Sequence, residues 1–298
     1  MPLRQISKKL ILDLMLNINS KESRVVHIVL ASLLLLVGCC LSAAAQTAAS
    51  SPSSLVLSPK LPTLFVVGDS TANNNASGAR GWGDPFITYF DPGKINVLNR
   101  ARAGRSSRTF ITEGLWDNVL NDLKPGDFVL IQFGHNDGGP LNTDRARGSL
   151  PGIGEETKEV VMPSGKNEVV HTYGWYMRRF VSDAKHKAAT AIVLSLTVRN
   201  IWKDGRVERG AGKFGQWAAE VAASQGVTFI DLTTIVADRY EKLGEEMVKE
   251  LFATDHTHTS PKGAELNAAS VIAGLKALKK DPLKRYFSAK AETVNKAR

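Results

Sequence analysis

Four short polar segments of this chain contain residue types that can carry out nucleophilic catalysis. They are Gly68-Asp69-Ser70-Thr71, the loop Arg102-Ala103-Gly104-Arg105-Ser106-Ser107, Gly134-His135-Asn136-Asp137 and Asp255-His256-Thr257-His258. A serine nucleophile needs a base within hydrogen-bond reach, and the base needs an acceptor that orients it. Asp255 and His258 are three residues apart, so one turn can direct both side chains to the same place.

The same segments also contain donors for an oxyanion hole. A tetrahedral oxyanion needs hydrogen-bond donors that are fixed before the reaction. The backbone N–H of Ser70, the N–H of Gly104 and the side-chain amide of Asn136 are suitable. Each segment alone also fits a structural role, since a serine after a Gly-Asp turn is a common helix cap and Asn136-Asp137 is typical of a turn.

The elements that must position these residues alternate between apolar runs and helical stretches. Strands are predicted at Leu61–Val67, Ile95–Leu98, Phe128–Phe133, Ala191–Leu196 and Val227–Ile230. Helices are clearest at Thr172–Lys187, Lys213–Ser224 and Pro261–Leu278, with Pro261 at a helix start, where its missing N–H costs little. The alternation predicts an α/β fold, a parallel sheet covered on both faces. The polar segments then lie at the carboxyl ends of the strands, where open parallel sheets bind ligands.

One stretch interrupts this rhythm. Residues Gly138–Val170 are polar and rich in glycine and proline, without a clear period. We expect a long insertion loop beside the third strand. Loops of this length are uncommon unless they have a function.

The amino terminus is typical of an exported protein. Basic residues precede an apolar run from Val25 to Leu41, and Ala43-Ala44-Ala45 offers a cleavage site, so residues 1–45 are predicted to be a signal peptide. Leu36-Val37-Gly38-Cys39 is similar to a bacterial lipobox, so lipid attachment at Cys39 is an alternative, as is a retained membrane anchor. Cleavage at Ala45 removes both cysteines, Cys39 and Cys40. We expect a periplasmic or secreted protein, with a flexible Ser/Ala/Pro-rich linker at 46–60.

The order and spacing of the four segments resemble those of the GDSL/SGNH hydrolase family across about residues 61–278. The local sequence is closer still to the rhamnogalacturonan acetylesterase-like branch. The stretches that carry this resemblance are GDSTANNN from Gly68, GWGDPF from Gly81, NRARAGRSSRTF from Asn99, QFGHNDGGP from Gln132 and DHTHTSPKGAE from Asp255.

The resemblance implies a role for each motif residue. Ser70 is the expected nucleophile, His258 the general base and Asp255 the carboxylate that orients His258. The oxyanion hole comprises Ser70 N–H, Gly104 N–H and the Asn136 side chain. The family's fold is a three-layer, flavodoxin-like α/β/α arrangement with five parallel strands, here at residues 61–280, and its reaction needs no cofactor and no metal.

The implied activity is that of a serine esterase that removes O-acetyl groups from a plant cell-wall polysaccharide, above all rhamnogalacturonan in pectin. A xylan or other acyl-ester esterase or lipase is the nearest alternative. A metallophosphoesterase and a non-catalytic carbohydrate-binding protein are remote ones. Trp82, Arg105 and His135 are candidate substrate-binding residues. Core packing for Trp82, an exposed charge for Arg105 and a turn for His135 are the structural alternatives.

Net charge gives little support to a nucleic-acid partner. The chain is 43% hydrophobic and 22% charged, a globular composition, and carries 38 Lys+Arg against 29 Asp+Glu. The excess lies in residues 1–45 and near the carboxyl terminus, where 281–298 are predicted to be a basic polar tail, while residues 46–275 are balanced. Four arginines surround the second segment: Arg100, Arg102, Arg105 and Arg108. They form either an ordinary solvated face or, for some of them, contacts with the carboxylates of an acidic polysaccharide, which guanidinium groups suit well. We expect a monomer that binds this polymer or its oligosaccharides, and no nucleic acid.

Overall fold

The computed structural model describes residues 57–210 and 212–297. The predicted signal peptide at 1–45, with Cys39 and Cys40, lies outside the described residues, as does most of the predicted linker, 46–56. No helix in the described ranges is long and apolar enough to cross a bilayer.

Nine strands form one large sheet and two small hairpins among the described residues. They are β1 (Thr63–Gly68), β2 (Asn96–Asn99), β3 (Phe128–Gln132), β4 (Thr157–Val161), β5 (Asn167–His171), β6 (Thr190–Leu194), β7 (Trp202–Lys203), β8 (Arg206–Val207) and β9 (Thr228–Ile230). The five-stranded sheet has the order β2-β1-β3-β6-β9, and every pairing within it is parallel. These are the five strands that the apolar runs predict, so the α/β fold is confirmed.

Nine α-helices accompany the strands in the described ranges. They are α1 (Gly83–Phe86), α2 (Ser107–Thr112), α3 (Leu115–Asp122), α4 (Tyr173–His186), α5 (Phe214–Ser224), α6 (Leu232–Leu243), α7 (Glu245–Lys249), α8 (Pro261–Ala277) and α9 (Ala289–Glu292). Short 3₁₀ helices lie at Ile87–Tyr89 and Lys284–Tyr286. Ser260 caps α8 through a hydrogen bond from Gly263 N–H, and Pro261 occupies its first turn as predicted.

Both faces of the parallel sheet are buried, because successive side chains of each strand point to opposite faces. Leu64 and Val66 of β1 belong to one apolar cluster, and Phe65 and Val67 belong to the other. The first cluster includes residues of α6 and α8, and the second includes residues of α3, α4 and α5. The result is the predicted three-layer arrangement of helices, sheet and helices.

The segment Gly138–Val170 is more ordered than a plain insertion loop, and the prediction is corrected here. It contains β4 and most of β5, an antiparallel hairpin with partners such as Lys158 and Val170. The strands carry mostly exposed polar side chains, with Val160 and Val170 buried, so the apolar periodicity is too weak to identify them.

The predicted basic polar tail at 281–298 is likewise wrong for much of its length. Leu283, Tyr286, Phe287 and Ala291 are buried in the cluster shared with α8. Asp91 N–H donates to Tyr286 O, and Ser288 N–H donates to Tyr89 O. The segment alternates basic and apolar residues, and the apolar ones pack against the domain while the basic ones remain outside.

Candidate active site

The loop after β1 presents Ser70 at the carboxyl end of the sheet. The buried carboxylate of Asp69 accepts hydrogen bonds from the N–H and the hydroxyl of Thr71, each 2.8 Å long, which stabilises a tight turn. β1 pairs with β3 up to Gly68 and Gln132, and a Cβ on Gly68 would lie 2.8 Å from Gln132 O. A glycine is therefore required where the chain enters the turn, and the turn lies beside the loop that follows β3.

A second loop, immediately before α8, carries Asp255 and His258. Backbone hydrogen bonds join this loop to the rest of the domain, from Ala253 N–H to His258 O and from Asn200 N–H to His256 O. Asp255 Oδ1 accepts the N–H groups of Thr257 and His258 at 2.7 Å each. The carboxylate is thus held by the backbone of its own turn.

Ser70, His258 and Asp255 form a continuous hydrogen-bonded chain. The Nδ1–H of His258 donates to Asp255 Oδ2 at 2.6 Å, and Ser70 Oγ donates to His258 Nε2 at 2.9 Å. Because Nδ1–H donates a hydrogen bond to the carboxylate, Nε2 of the neutral imidazole is unprotonated and can accept a proton from the serine. The fold brings together residues from opposite ends of the domain, as the sequence predicts.

The pKa of Asp255 suits an orienting carboxylate. Partial burial acts to raise this pKa, but hydrogen bonds from the side chain and N–H of His258 and from Thr257 N–H lower it to about 2. Asp255 is therefore ionised across the whole pH range in which histidine titrates. An ionised acceptor keeps the proton of His258 on Nδ1.

Gly104 and Asn136 stand beside Ser70 at the same end of the sheet. Gly104 has φ +78°, a left-handed conformation that favours glycine. The Nδ2 of buried Asn136 donates to Arg105 O at 2.8 Å, which joins the second loop to the third, and its other amide hydrogen has no acceptor among the described residues. Among the described residues, the N–H groups of Ser70 and Gly104 have no acceptor, so three donors are available to an oxyanion.

Asp137, which has no predicted role, links the same two loops. It is fully buried and accepts hydrogen bonds from the N–H and hydroxyl of Ser107 and from the hydroxyl of Ser149. Burial raises the pKa of Asp137 to about 7, against the opposing effect of the hydrogen bonds from both serines. Asp137 thereby attaches the start of α2 and the insertion to the loop that carries Asn136.

A cleft of about 320 Å³ opens above these groups. Ser70, Gly104, His135, Asn136 and His258 line it, and so do Asn74, Ala103, Arg147, Arg199 and Thr257. Sequence reasoning missed Asn74, Arg147 and Arg199. Arg147 lies in the insertion and Arg199 follows β6, away from the four polar segments, so no local pattern marks them.

The three predicted substrate-binding residues differ in their positions. His135 lines the cleft, with Nε2 3.4 Å from Thr197 Oγ1, and burial lowers its pKa, so a neutral imidazole is favoured. Trp82 is 0% exposed, and its Nε1–H donates to Gln132 Oε1 at 2.8 Å. The prediction for Trp82 is corrected, because a fully buried indole has no free face on which a sugar can stack.

Arg105 is also corrected, because its side chain does not line the cleft. Its Nε donates to Glu113 at 2.8 Å and its Nη1 donates to Ala103 O at 3.1 Å. The backbone carbonyl of Arg105, rather than its guanidinium, serves the site by accepting from Asn136.

Gln132 is a further residue that sequence reasoning missed. It is buried at the end of β3, where Oε1 accepts from Trp82 and Nε2 donates to Ser195 O at 3.0 Å. Its amide therefore connects the loop after β1, strand β3 and the segment after β6. In the described ranges, no group of three or more His, Cys, Asp and Glu side chains is arranged to hold a metal ion.

Comparison with known proteins gives a consistent result. Residues 66–266 match the model of the GDSL-like lipase/acylhydrolase family. A rhamnogalacturonan acetylesterase of Emericella nidulans is 35% identical over 219 residues, which cover 74% of this chain and 86% of that protein. Rhamnogalacturonan acetylesterase RhgT of Bacillus subtilis is 29% identical, over 72% of this chain and 90% of that protein.

The fold has a counterpart among solved structures. The crystal structure of protein YxiM of Bacillus subtilis aligns with a TM-score of 0.59 and 23% sequence identity. The alignment covers 72% of this chain and 56% of that protein, so the chain spans little more than half the length of this structural relative. This likeness concerns the fold.

Proposed function

The chain belongs to the GDSL-like lipase/acylhydrolase family and is a carboxylic ester hydrolase, and we propose that it removes O-acetyl groups from rhamnogalacturonan. The observation that best supports a serine-esterase mechanism is the hydrogen-bonded chain from Asp255 through His258 to Ser70. Two relatives named rhamnogalacturonan acetylesterase support the choice of polymer.

The first half of the proposed cycle forms an acyl-enzyme. Ser70 Oγ attacks the acetyl carbonyl while its proton passes to His258 Nε2. The tetrahedral intermediate then expels the sugar oxygen, which takes that proton from His258. The products of this half are a free sugar hydroxyl and an acetyl group on Ser70.

The second half returns the enzyme to its starting state. Water gives a proton to His258 and attacks the acyl carbonyl, and collapse of the intermediate releases acetate while Ser70 regains its proton. Asp255 keeps His258 in the required tautomer and stabilises the imidazolium in both halves. Asp255 needs no proton transfer of its own, in keeping with its lowered pKa.

The oxyanion of both intermediates is assigned to the N–H groups of Ser70 and Gly104 and the side-chain amide of Asn136. All three residues line the cleft. Hydrogen bonds from Asn136 to Arg105 O and from Ser107 to Asp137 join the loops of Gly104 and Asn136, and one from Arg102 N–H to Gly68 O joins the loop of Gly104 to the end of β1, just before Ser70. Donors held in this way require little reorganisation when negative charge develops on the carbonyl oxygen.

We also propose that the protein acts outside the cytoplasm, because the polymer is extracellular and residues 1–45 have the pattern of a signal peptide. Export as a soluble protein and attachment through Cys39 are compatible with the same activity.

Acetate release from a panel of polymers tests the proposal. The wild-type enzyme and Ser70→Ala are incubated with acetylated rhamnogalacturonan, acetylated homogalacturonan and acetylated xylan. We expect release from rhamnogalacturonan at the highest kcat/KM and none above background with Ser70→Ala. Preferential release from xylan would contradict the assigned polymer, and activity of the Ser70→Ala enzyme would contradict the mechanism.

A further inference from the structure

Two arginines of the active-site cleft differ from most arginines of this domain. Of the four arginines that the sequence marked as candidates for acidic polymers, Arg102 is exposed and does not line the cleft. The other three, Arg100, Arg105 and Arg108, are paired with Asp122, Glu113 and Glu168. Arg147 and Arg199 line the cleft, and neither has a carboxylate within ion-pair distance in the part of the chain that the structure describes. Positive charge is therefore available at the site itself.

The terminal nitrogens of both arginines remain open to a ligand. In each side chain the Nε is buried and has no acceptor among the described residues. The Nη atoms also have no acceptor there, and they are not among the fully buried polar atoms, while both side chains line the cleft. Arg147 Nη1 lies 3.9 Å from the position that a Cβ on Gly104 would occupy, which places this charge beside the proposed oxyanion hole.

Each arginine is attached to the catalytic loops by its backbone. Arg147 N–H donates to Pro140 O, and the neighbouring Ser149 N–H donates to Asp137 O. Next to Arg199, Asn200 N–H donates to His256 O, in the loop that carries Asp255 and His258. The backbone of both arginines is thus tied to the loops that surround Ser70.

No carboxylate lines this cleft within the described ranges. Asp69, the nearest carboxylate in sequence to Ser70, is fully buried and is hydrogen-bonded to Thr71. Guanidinium groups are positively charged, so two of them in one cleft without a carboxylate favour the binding of an anion. A carboxylate is the complementary group, because its two oxygens accept charge-assisted hydrogen bonds from guanidinium nitrogens.

We propose that Arg147 and Arg199 form a carboxylate-binding subsite that holds a uronate unit of the acetylated polysaccharide beside Ser70. This inference rests on the proposed function, and it assigns the enzyme's preference for an acidic polysaccharide to two residues. The subsite orients the acetylated sugar and takes no part in proton transfer. Neutral acetylated glycans lack the group that it recognises.

Steady-state kinetics of Arg147→Gln, Arg199→Gln and the double variant test the subsite. The substrates are 4-nitrophenyl acetate, an acetylated rhamnogalacturonan oligosaccharide, and the same oligosaccharide with methyl-esterified carboxyl groups, followed by acetate release. We expect each single variant to raise KM for the acidic oligosaccharide by about 10- to 100-fold, the usual cost of losing one charge-assisted contact. The loss on the two neutral substrates should be at least tenfold smaller.

Matched variants separate recognition from a general effect of charge or folding. Arg145→Gln removes the same charge from an exposed position two residues from Arg147 that does not line the cleft, and it should match the wild type on all three substrates. Arg147→Lys and Arg199→Lys should recover part of the affinity, since an ammonium retains charge but not the planar fork. Equal losses on all three substrates, or no loss on the acidic one, would overturn the inference.

Inhibition distinguishes failure of the subsite from failure of the proposed function. Oligogalacturonate without acetyl groups should inhibit 4-nitrophenyl acetate hydrolysis by the wild-type enzyme, and at least tenfold more weakly in the double variant. If the wild type releases no acetate from rhamnogalacturonan but shows this difference, the polymer assignment fails and the subsite stands. Equal inhibition of both enzymes contradicts the subsite even if rhamnogalacturonan is the substrate.

Discussion

At the scale of single residues, the site depends on carboxylates whose pKa values are set by neighbouring hydrogen bonds and by burial. Asp255 stays ionised because three hydrogen bonds converge on its carboxylate. Asp137, the residue that follows Asn136, is instead buried, and burial raises its pKa to about 7. Two carboxylates of one site therefore differ in their affinity for protons by several orders of magnitude. The first is suited to orienting a base, and the second to joining loops.

Asn136 provides a direct test of the oxyanion hole. Asn136→Ala should lower kcat for 4-nitrophenyl acetate by about 10²- to 10³-fold, because one donor to the developing negative charge is lost. KM should change far less than kcat, since the donor acts mainly in the transition state. A variant that retained more than about a tenth of the wild-type kcat would show that the amide contributes little to catalysis.

The raised pKa of Asp137 has a consequence for stability. The folded protein retains the proton of Asp137 up to about pH 7, while the unfolded chain loses it near 3.8. The contribution of this group to stability is therefore complete below the unfolded value and decreases as the pH rises through about 7. Relative to Asp137→Asn, the Tm of the wild type should decline between pH 4 and 7, as followed by circular dichroism.

The comparison with Asp137→Asn removes the contribution of the other titrating groups to the change in Tm, because both proteins contain them. His135, whose pKa is lowered by burial, acts in both proteins, and Asp255 titrates at lower pH. Parallel Tm profiles for the two proteins across this pH range would contradict the raised pKa of Asp137.

The sequence predicted the residues whose types suit catalysis and missed those that depend on contacts across the fold. Ser70, Asp255 and His258 lie in short polar motifs, and the structure brings the three into contact. Gln132 acts through side-chain contacts with Trp82 and Ser195, and Arg199 reaches the cleft from the segment after β6. Patterns in a single sequence carry no information on such contacts across the fold. Trp82 was misassigned because an indole in a loop near the site has the same sequence signal whether its ring is free or buried.

At the scale of elements, the strand ends explain why these segments meet. Parallel strands place their carboxyl ends at one edge, so the loops after β1, β2 and β3 converge there. The long helices α4, α5 and α8 agree with the sequence prediction to within about one residue at each end. The small hairpins were missed, since β7 and β8 have two residues each and β4 and β5 are largely exposed.

The buried guanidinium of Arg108 attaches the insertion to α2. It is 1% exposed, pairs with Glu168 at 2.7 Å and donates to the carbonyls of Leu141 and Gly148 at 2.9 Å each. Arg108→Met should lower the free energy of unfolding by about 3 kcal/mol, because Glu168 and two carbonyls lose their partner. Urea denaturation measures this change.

Arg100→Met is the matched control for Arg108→Met. Arg100 pairs with Asp122 at the surface, where such pairs contribute at most about 1 kcal/mol. Equal effects of the two substitutions would mean that Arg108 does not hold the insertion in place.

At the scale of the whole chain, charge and composition indicate a globular domain but do not show at which residue the domain ends. The basic excess near the carboxyl terminus predicted a solvated tail, yet Phe287 packs against Phe90 with ring centroids 5.6 Å apart. The average charge of a segment does not reveal a few widely spaced apolar residues that pack against the domain. Arg147 and Arg199 line the cleft and have no carboxylate partner in the described part of the chain, and they are therefore a better guide to the substrate than the net charge of +9.

Phe287→Ala tests whether the carboxyl-terminal segment belongs to the folded domain. Removing a ring that is 8% exposed should lower the free energy of unfolding by about 3 kcal/mol, through lost burial and a residual cavity. Lys284→Ala, at an exposed position of the same segment, should change it by less than about 0.5 kcal/mol. If chemical denaturation gave wild-type stability for Phe287→Ala, the result would support the original prediction of a solvated polar tail.

Covalent labelling of Ser70 tests the central claim most directly. An alkyl fluorophosphonate transfers its phosphorus to an activated serine oxygen and releases fluoride, so intact mass, peptide mapping and residual 4-nitrophenyl acetate hydrolysis can be followed together. We predict one adduct per chain, on the peptide that contains Ser70, with loss of activity in step with labelling, and no adduct on Ser70→Ala. An enzyme that kept its activity after Ser70 was labelled, or that was inactivated by an adduct at another residue, would contradict the account.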